Sequence, residues 1–194
     1  MSEKKKIGLY FGSFNPIHVG HQIIGETICT NASLHQVWYV ISPQNPFKSS
    51  HQLLHEFDRF DMVEAALMDN PKLVASDVEF HLPKPSYTID TLEFLQKKYP
   101  TYEFYLIMGE DNLQGFERWK RYQDILNGYQ LLVFPRPYCE KTLFHDHPNV
   151  HLVDAPNMNI SSTYIRQRVR ERKSIKYLVH DAVLEIIEKN GYYL

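Results

Sequence analysis

The sequence predicts an α/β fold in which helices cover both faces of a mainly parallel sheet. Short apolar runs of strand length alternate with helical patterns along the whole chain, and this alternation is typical of βαβ units with right-handed crossovers. The 194 residues are enough for one domain with a sizeable core. No repeat or low-complexity stretch divides the chain. We therefore expect a single Rossmann-like, doubly wound domain over residues 1–194.

Five apolar runs predict strands, and two shorter runs are weaker strand candidates. The five are Ile7–Phe11, Val37–Ile41, Phe104–Met108, Gln130–Phe134 and Val150–Val153, and the weaker two are Leu73–Ala75 and Val78–Phe80. Helical patterns cover six segments: Val19–Thr30, Glu56–Met68, Thr88–Lys98, Arg118–Leu126, Ser162–Arg172 and Asp181–Lys189. Because ligands of such sheets bind beyond the carboxyl ends of the strands, we expect the functional residues in the loops that follow them.

The composition excludes several classes of protein. Lys and Arg number 21 against 23 Asp and Glu, a formal net charge of -2, which argues against a general nucleic-acid binder. The two cysteines, Cys29 and Cys139, have no C-x-x-C spacing, so we expect no disulfide framework and a cytoplasmic location. The apolar run after Lys4–Lys6 is too short for a signal peptide, and no segment is long enough to span a membrane. The oligomeric state is left open.

The stretch Gly12–His21 has the features of a phosphate site. An apolar run ends in Gly, Ser, Asn and Pro, and then two histidines, His18 and His21, stand three residues apart. If a helix begins near Ile17 or His18, both imidazoles lie on its first turn, beside unpaired backbone N–H groups. The imidazoles would then donate to anionic oxygens, and Gly20 would let the ligand approach the backbone. The alternatives are a metal site, for which no third ligand is near, and a pair of capping or surface histidines.

A second candidate phosphate site lies at Ser161–Thr163, where a helix is predicted to begin. Arg166 follows Ser162 by four residues, so the two side chains share a face at the helix start. A guanidinium there offers a fork of donors to phosphate oxygens. For the serines, plain helix capping is the alternative. The later cations, Arg168–Lys173, are expected to form a solvated face.

Both segments resemble motifs of the nucleotidylyltransferase superfamily. Gly12–His21 is similar to its ATP-binding signature, G-T/S-F-D/N-P-x-H-x-G-H, and Ile160–Arg166 is similar to its distal phosphate motif. Their order along the chain and their separation of about 140 residues make a chance match improbable.

The middle of the chain resembles one family within that superfamily. Glu79–Leu92 is similar to the E-x-x-R-x-G-x-S-Y-T-x-D-T-L segment of nicotinate mononucleotide adenylyltransferases. Met108–Leu113, followed by Trp119, resembles their G-A/S-D-x-L…W element, and Val183–Tyr193 resembles their C-terminal helix and tail. The likeness therefore runs over nearly the whole chain.

The resemblance implies a role for each matching residue. The groups that stabilise charge on the triphosphate would be His18, His21 and Arg166. Further contacts to ATP would come from Gly12, Ser13, Phe14, Gly20, Ser161 and Ser162. Contacts to the mononucleotide would come from Lys48, Tyr87, Thr88, Asp111, Trp119 and Lys120. Of these, Trp119 would stack on the pyridine ring, main-chain groups near Thr88 and Lys120 would read the ring substituent, and Asp111 would lie beside a ribose.

Simpler interpretations exist for several of these residues. Trp119 is also explained as a half-buried packing residue, and Asp111 and Thr88 as helix caps. Lys48 either touches phosphate or lies in water.

Some positions depart from the family's pattern. Phe11 stands where many bacterial members have glycine, Asn15 replaces the commoner aspartate, and Glu110 replaces a small residue. The loop Ser42–Lys48 lacks the family's histidine.

The resemblance implies nucleotidyl transfer, in which the 5′-phosphate of nicotinate mononucleotide attacks the α-phosphorus of ATP and pyrophosphate leaves. A phosphate monoester is mostly dianionic at neutral pH, since its second pKa is ~6, so no general base is needed. Mg²⁺ would bind mainly through the ATP phosphates, with no dedicated protein cage. Three alternative reactions are adenylyl transfer to nicotinamide mononucleotide, adenylyl transfer to phosphopantetheine and a cytidylyltransferase reaction. A fourth alternative is a regulator that binds a nucleotide without turnover. The sequence does not distinguish the acid from the amide, and we expect the acid.

Overall fold

The computed structural model describes residues 4–44 and 53–194, which contain a six-stranded parallel sheet. The strands are β1 (Lys5–Gly12), β2 (Gln36–Ile41), β3 (Leu73–Ser76), β4 (Tyr102–Gly109), β5 (Gln130–Phe134) and β6 (Val150–Leu152). Their order across the sheet is β3-β2-β1-β4-β5-β6, and every neighbouring pair is parallel. This is the Rossmann order, with its switch point between β1 and β4. The predicted fold class is confirmed.

Seven α-helices lie in the described ranges. They are α1 (Val19–Asn31), α2 (Glu56–Leu67), α3 (Thr88–Lys98), α4 (Glu110–Gln114), α5 (Tyr122–Gly128), α6 (Ser162–Arg170) and α7 (Asp181–Asn190). Short 3-10 helices occupy Val78–His81, Phe116–Arg118 and Leu143–Asp146. In the part of the chain that the structure describes, no helix has both the length and the apolar character needed to cross a membrane.

The helices divide into two layers because side chains alternate across the strands. On β1, Ile7 and Leu9 belong to one core and Tyr10 to the other. The first core includes buried residues of α3, α4 and α5: Ile89, Leu92, Leu95, Leu113 and Ile125. The second includes buried residues of α1, α2, α6 and α7: Ile24, Ile28, Met62, Val63, Ile165 and Val183. Each sheet face is therefore covered, as a parallel sheet requires.

Val78–Phe80, a weaker strand candidate, is not a strand, and that prediction was wrong. β3 ends at Ser76, and the chain then turns so that the Phe80 N–H donates to the Asp77 carbonyl at 2.8 Å. Val78 and Glu79 are both buried in the resulting 3-10 helix. The alternation of apolar, polar and apolar residues in Val78–Phe80 is strand-like, but three residues are too few for periodicity to separate a strand from a 3-10 helix.

The predicted helix Arg118–Leu126 was wrong over its first half. Trp119 has an extended backbone, with φ -76° and ψ 142°. Arg121 is left-handed, with φ 52° and ψ 42°, and α5 begins only at Tyr122. The unpredicted helix α4 follows β4 directly and spans five residues, too few to show a periodicity. Together these breaks leave Trp119 in a turn between two short helices.

Candidate active site at the carboxyl edge of the sheet

A cavity of about 880 Å³ lies where β1, β4 and β5 end. Among the predicted site residues, those that line it are Gly12, Ser13, Phe14, His18, His21, Tyr87, Thr88, Asp111, Trp119, Lys120, Ser161, Ser162 and Arg166. The structure therefore brings the N-terminal, central and C-terminal motifs into one cavity. The predicted contact of Lys48 falls outside the described residues.

The two histidines stand at the start of α1. His18 is the N-cap, with an extended backbone, and His21 is the third residue of the helix. Their rings stack with centroids 3.7 Å apart and planes 24° apart. The His18 backbone N–H donates to Nδ1 of His21 at 3.2 Å, which places the proton of a neutral His21 on Nε2. The pair lies at the positive end of a 13-residue helix, where anions are favoured.

His18 is neutral near pH 7 because the protein surrounds it. Only 6% of the residue is exposed, and burial, together with the nearby Arg136 guanidinium, lowers its pKa from 6.5 to about 4. Its Nδ1 is buried and makes no hydrogen bond to any described residue. Nδ1 of His18 is therefore not used for hydrogen bonding within the described chain.

Gly20 lies beneath this ring, away from the cavity lining. A Cβ added there would lie 3.0 Å from Nδ1 of His18 and 3.4 Å from Cβ of Met158. Glycine at this position lets the His18 ring pack against the helix backbone. Gly20 does not line the cavity in this structure, and its contact with a ligand stays a prediction.

Arg166 and Ser162 on α6 reach the loop that follows β1. Nη1 of Arg166 donates to the Asn15 carbonyl at 2.8 Å, and Oγ of Ser162 donates to the Pro16 carbonyl at 2.8 Å. Ser161 caps α6, since its Oγ accepts the Tyr164 N–H at 3.2 Å. Burial lowers the pKa of Arg166. The Arg166 side chain therefore contacts the loop and also lines the cavity.

Trp119 and the start of α3 form the other end of the cavity. Trp119 is half-buried and packs on Phe116 with ring centroids 5.4 Å apart. Thr88 is the first residue of α3, and Tyr87 precedes it with an extended backbone. The Lys120 ammonium is 4.6 Å from the centroid of the Tyr87 ring. An aromatic face, helix N–H groups and a cation thus meet at this end.

Comparison with known proteins identifies the family of the chain. The family model described as cytidylyltransferase-like matches residues 9–168. A relative from Cytophaga hutchinsonii, named "probable nicotinate-nucleotide adenylyltransferase", is 58% identical over 97% of this chain and 98% of its own length. A relative of the same name from Flavobacterium psychrophilum is 46% identical over 97% of this chain and 98% of its own. This chain belongs to the nicotinate-nucleotide adenylyltransferase family.

A solved structure shares the fold of this family member. It is the Plasmodium falciparum nicotinic acid mononucleotide adenylyltransferase complexed with NaAD, with a TM-score of 0.82 and 24% identity. The match covers 97% of both chains. The sheet and both helical layers are therefore common to the two proteins.

Arg136 is a cavity residue of this adenylyltransferase-family protein that the sequence analysis missed. It follows β5 by two residues and lines the cavity near His18. Its backbone N–H donates to Oε2 of Glu110 at 3.0 Å, while Oε1 of Glu110 lies 3.2 Å from Nε2 of His145. Nε of Arg136 lies 3.7 Å from Oδ1 of Asp111. The sequence signal that could have identified Arg136 is a cationic residue two positions after a predicted strand.

Glu79 is a second missed residue in the wall of this family member's cavity. It is 2% exposed, and Oε1 accepts the Thr91 hydroxyl at 2.9 Å. Burial raises the pKa of the carboxyl. The same Thr91 hydroxyl oxygen lies 3.4 Å from the Tyr87 carbonyl oxygen. Glu79 therefore connects the cavity wall to the start of α3.

Proposed function

We propose that this protein transfers the adenylyl group of ATP to the 5′-phosphate of nicotinate mononucleotide, giving deamido-NAD and pyrophosphate. The observation that carries the proposal is the shared cavity, with His18, His21 and Arg166 at one end and Trp119 at the other. The names of the relatives point to the same reaction. The fold is also that of a structure complexed with NaAD.

The reaction requires positioning and charge stabilisation more than proton transfer. The attacking phosphate is mostly dianionic at neutral pH, since its second pKa is ~6, so no residue needs to act as general base. The imidazole N–H of His21 and the Arg166 guanidinium would donate to the triphosphate oxygens, at the positive end of the α1 dipole. Arg136, which lines the cavity near His18, would add a further cation.

The donors of this cavity fit phosphate oxygens better than a metal ion. They are imidazole, guanidinium, hydroxyl and backbone N–H groups, and in residues 4–44 and 53–194 no group of three or more His, Cys, Asp or Glu is arranged to hold a metal. Mg²⁺ would therefore be held by the ATP phosphates and water. Bound in this way, it supplies charge neutralisation on the phosphates.

The C-terminal helices, about 161–194, would complete the ATP site within the single domain. Ser162 and Arg166 already hydrogen-bond the loop between β1 and α1. The use of ATP and the two free thiols, Cys29 and Cys139, favour a cytoplasmic location.

The acid is the preferred substrate in this proposal because of charge. Lys120 places an ammonium group beside Tyr87 at the Trp119 end of the cavity, where a nicotinate carboxylate would be attracted. Nicotinamide mononucleotide and phosphopantetheine are the competing substrates.

The deciding experiment measures pyrophosphate release with ATP and Mg²⁺ and each of the three acceptors in parallel. Reactions without acceptor, and reactions with EDTA, are the controls. We expect a large kcat/KM advantage for nicotinate mononucleotide. Equal turnover of acid and amide would contradict the specificity, turnover with phosphopantetheine alone would contradict the role of Trp119, and no turnover would favour a regulator.

A further inference from the structure

Arg59 on α2 holds the loop after β1 from outside the cavity. The residue is 0% exposed and does not line the cavity. Its Nη1 donates to the carbonyls of Ser13 at 2.6 Å and Ser42 at 2.9 Å, and Nη2 donates to the Pro43 carbonyl at 3.3 Å. Its Nε donates to the Leu54 carbonyl at 2.9 Å. One guanidinium thus joins the loops after β1 and β2 to the segment before α2.

In residues 4–44 and 53–194 no carboxylate lies within ion-pair distance of the buried Arg59 guanidinium, although the nearby Glu56 carboxylate favours its charge. Burial lowers its pKa to about 10, so it stays protonated at neutral pH. Burying a cation is unfavourable unless its hydrogen bonds are satisfied. Here backbone carbonyls satisfy them, so the position of those carbonyls and the position of the guanidinium depend on each other.

Tyr193 holds the same loop from the C-terminal tail. Its hydroxyl donates to Oδ1 of Asn15 at 2.9 Å, and the Leu54 N–H donates to the same oxygen at 3.3 Å. Arg166 donates to the Asn15 carbonyl. Tyr193, like Arg59, does not line the cavity. The loop is therefore fixed at Ser13 and at Asn15 by two groups behind it.

The loop needs such support because its backbone is strained. Phe14, between the two attachment points, has φ 46°, a left-handed conformation that is unfavourable for a bulky side chain. The Phe14 ring is buried and packs against His21, with centroids 5.1 Å apart and planes at 80°. A change in the loop would thus move the ring that contacts a catalytic imidazole.

We propose that Arg59 and Tyr193 are positioning residues for triphosphate binding, fixing residues 12–16 without touching the ligand. This inference rests on the proposed function for the identity of the ligand. It predicts that weakening either attachment lowers affinity for the triphosphate and kcat together, while affinity for the mononucleotide is kept. A residue that only stabilised the fold would not separate the two ligands.

The first test compares Tyr193→Phe with Tyr192→Phe. Both variants lose one hydroxyl from the tail, but the hydroxyl of Tyr193 bonds the loop at Asn15, whereas that of Tyr192 bonds Asp58 on α2. Calorimetry measures the Kd of α,β-methylene ATP with Mg²⁺, and separately the Kd of nicotinate mononucleotide. We expect Tyr193→Phe to weaken the ATP analogue roughly 3- to 10-fold, the equivalent of one hydrogen bond. Tyr192→Phe should change neither Kd.

The second test compares Arg59→Lys with Leu67→Ala. Lysine keeps the charge but cannot reach carbonyls in four directions, and Leu67 is a buried residue of the same helix, distant from the loop contacts. Thermal unfolding identifies the destabilisation of each variant, and both Kd values are measured below the unfolding transition. We expect Arg59→Lys to weaken the ATP analogue at least as much as Tyr193→Phe does, and Leu67→Ala to leave it unchanged.

The outcomes separate this inference from the proposed function. An unchanged Kd for the ATP analogue in Tyr193→Phe, or equal weakening of both ligands, overturns the inference even if Arg59→Lys does not fold. If wild-type protein binds the ATP analogue but transfers no adenylyl group, the proposed function fails while the positioning role is still measured by binding.

Discussion

Arg166 and Asn15 are 151 positions apart in the sequence, and the guanidinium of one donates to the carbonyl of the other at 2.8 Å. The contact joins the start of α6 to the loop between β1 and α1. It also leaves Nε of Arg166 buried without a partner in the described chain. The same side chain therefore shapes the loop and keeps donor capacity for a ligand.

Replacing Arg166 with lysine should reduce kcat roughly 10²-fold, the scale of one lost donor to developing charge. Lysine keeps a charge but not the fork that reaches both Asn15 and an anion. Steady-state pyrophosphate release measures the loss. Arg168→Lys is the matched control, because Arg168 on the same helix bonds the Ser174 carbonyl outside the cavity. An equal loss of kcat in Arg166→Lys and Arg168→Lys would contradict a catalytic role for Arg166.

The histidine pair should be indispensable for rate and dispensable for folding. We expect His18→Asn and His21→Asn each to lower kcat roughly 10²- to 10³-fold, because each removes a group from the start of α1. His151→Asn is the control, since His151 is exposed on the edge strand β6. Circular dichroism checks the fold. A loss of only a few-fold for His18→Asn would show that the stacked ring is structural.

The stability of the protein should depend on pH through His18. Its pKa is about 4 when folded and 6.5 when unfolded, so the unfolded chain binds the proton more readily between these values. The free energy of unfolding therefore falls as pH falls through that window, by at most roughly 3 kcal/mol. Urea unfolding at pH 7 and pH 4.5 tests this. His18→Gln should lose less stability between the two pH values than wild type, and an equal loss would contradict a neutral buried His18.

Trp119 should act on the mononucleotide and not on ATP. Replacing it with leucine removes the aromatic face, and we expect KM for nicotinate mononucleotide to rise roughly 10-fold, a stacking contribution of about 1–1.5 kcal/mol. KM for ATP should stay unchanged. Trp38→Leu is the control, since Trp38 packs on Tyr99 on the far side of the sheet from the histidines. A rise in both KM values for Trp119→Leu would indicate a general loss of structure.

The fold and the placement of the histidine pair could be predicted from local patterns. Strand-length apolar runs alternated with helices, and Gly12–His21 placed its histidines where a helix begins. The helix breaks around Trp119 could not be predicted, because a single residue with positive φ, such as Arg121, leaves no periodic signal. The 3-10 helix at Val78–His81 could not be predicted either, because it spans only four residues. The resemblance to a family supplied Trp119, which periodicity alone would have placed within a helix.

Contacts between distant segments were the other part that sequence patterns could not supply. Arg59 stands in an amphipathic helix, where a cation is normally expected in solvent, yet it is fully buried. Its partners are carbonyl groups, which every residue has, so no residue type marks them. Arg136 and Glu110 likewise meet only because β4 and β5 are neighbours in the sheet.

Asp90 should moderate the preference for the acid. Its carboxylate lies 2.8 Å from the Lys120 ammonium, and both side chains are about two-fifths exposed, at 41% and 42%. Asp90→Asn leaves the cation without this partner, so the ratio of kcat/KM for nicotinate over nicotinamide mononucleotide should rise roughly 2- to 5-fold at low salt. Lys120→Met should lower the same ratio.

The matched control for that prediction is Glu93→Gln on the same helix. Glu93 pairs with Arg121 at 2.9 Å, and neither residue lines the cavity, so the ratio should not change. Added salt should reduce the effect of Asp90→Asn, because exposed charges are screened beyond about 10 Å at 0.1 M ionic strength. If the ratio is the same in wild type, Asp90→Asn and Lys120→Met, the ammonium does not sense the ring substituent. Main-chain groups near Thr88 and Lys120 are then the remaining candidates for discriminating the acid from the amide.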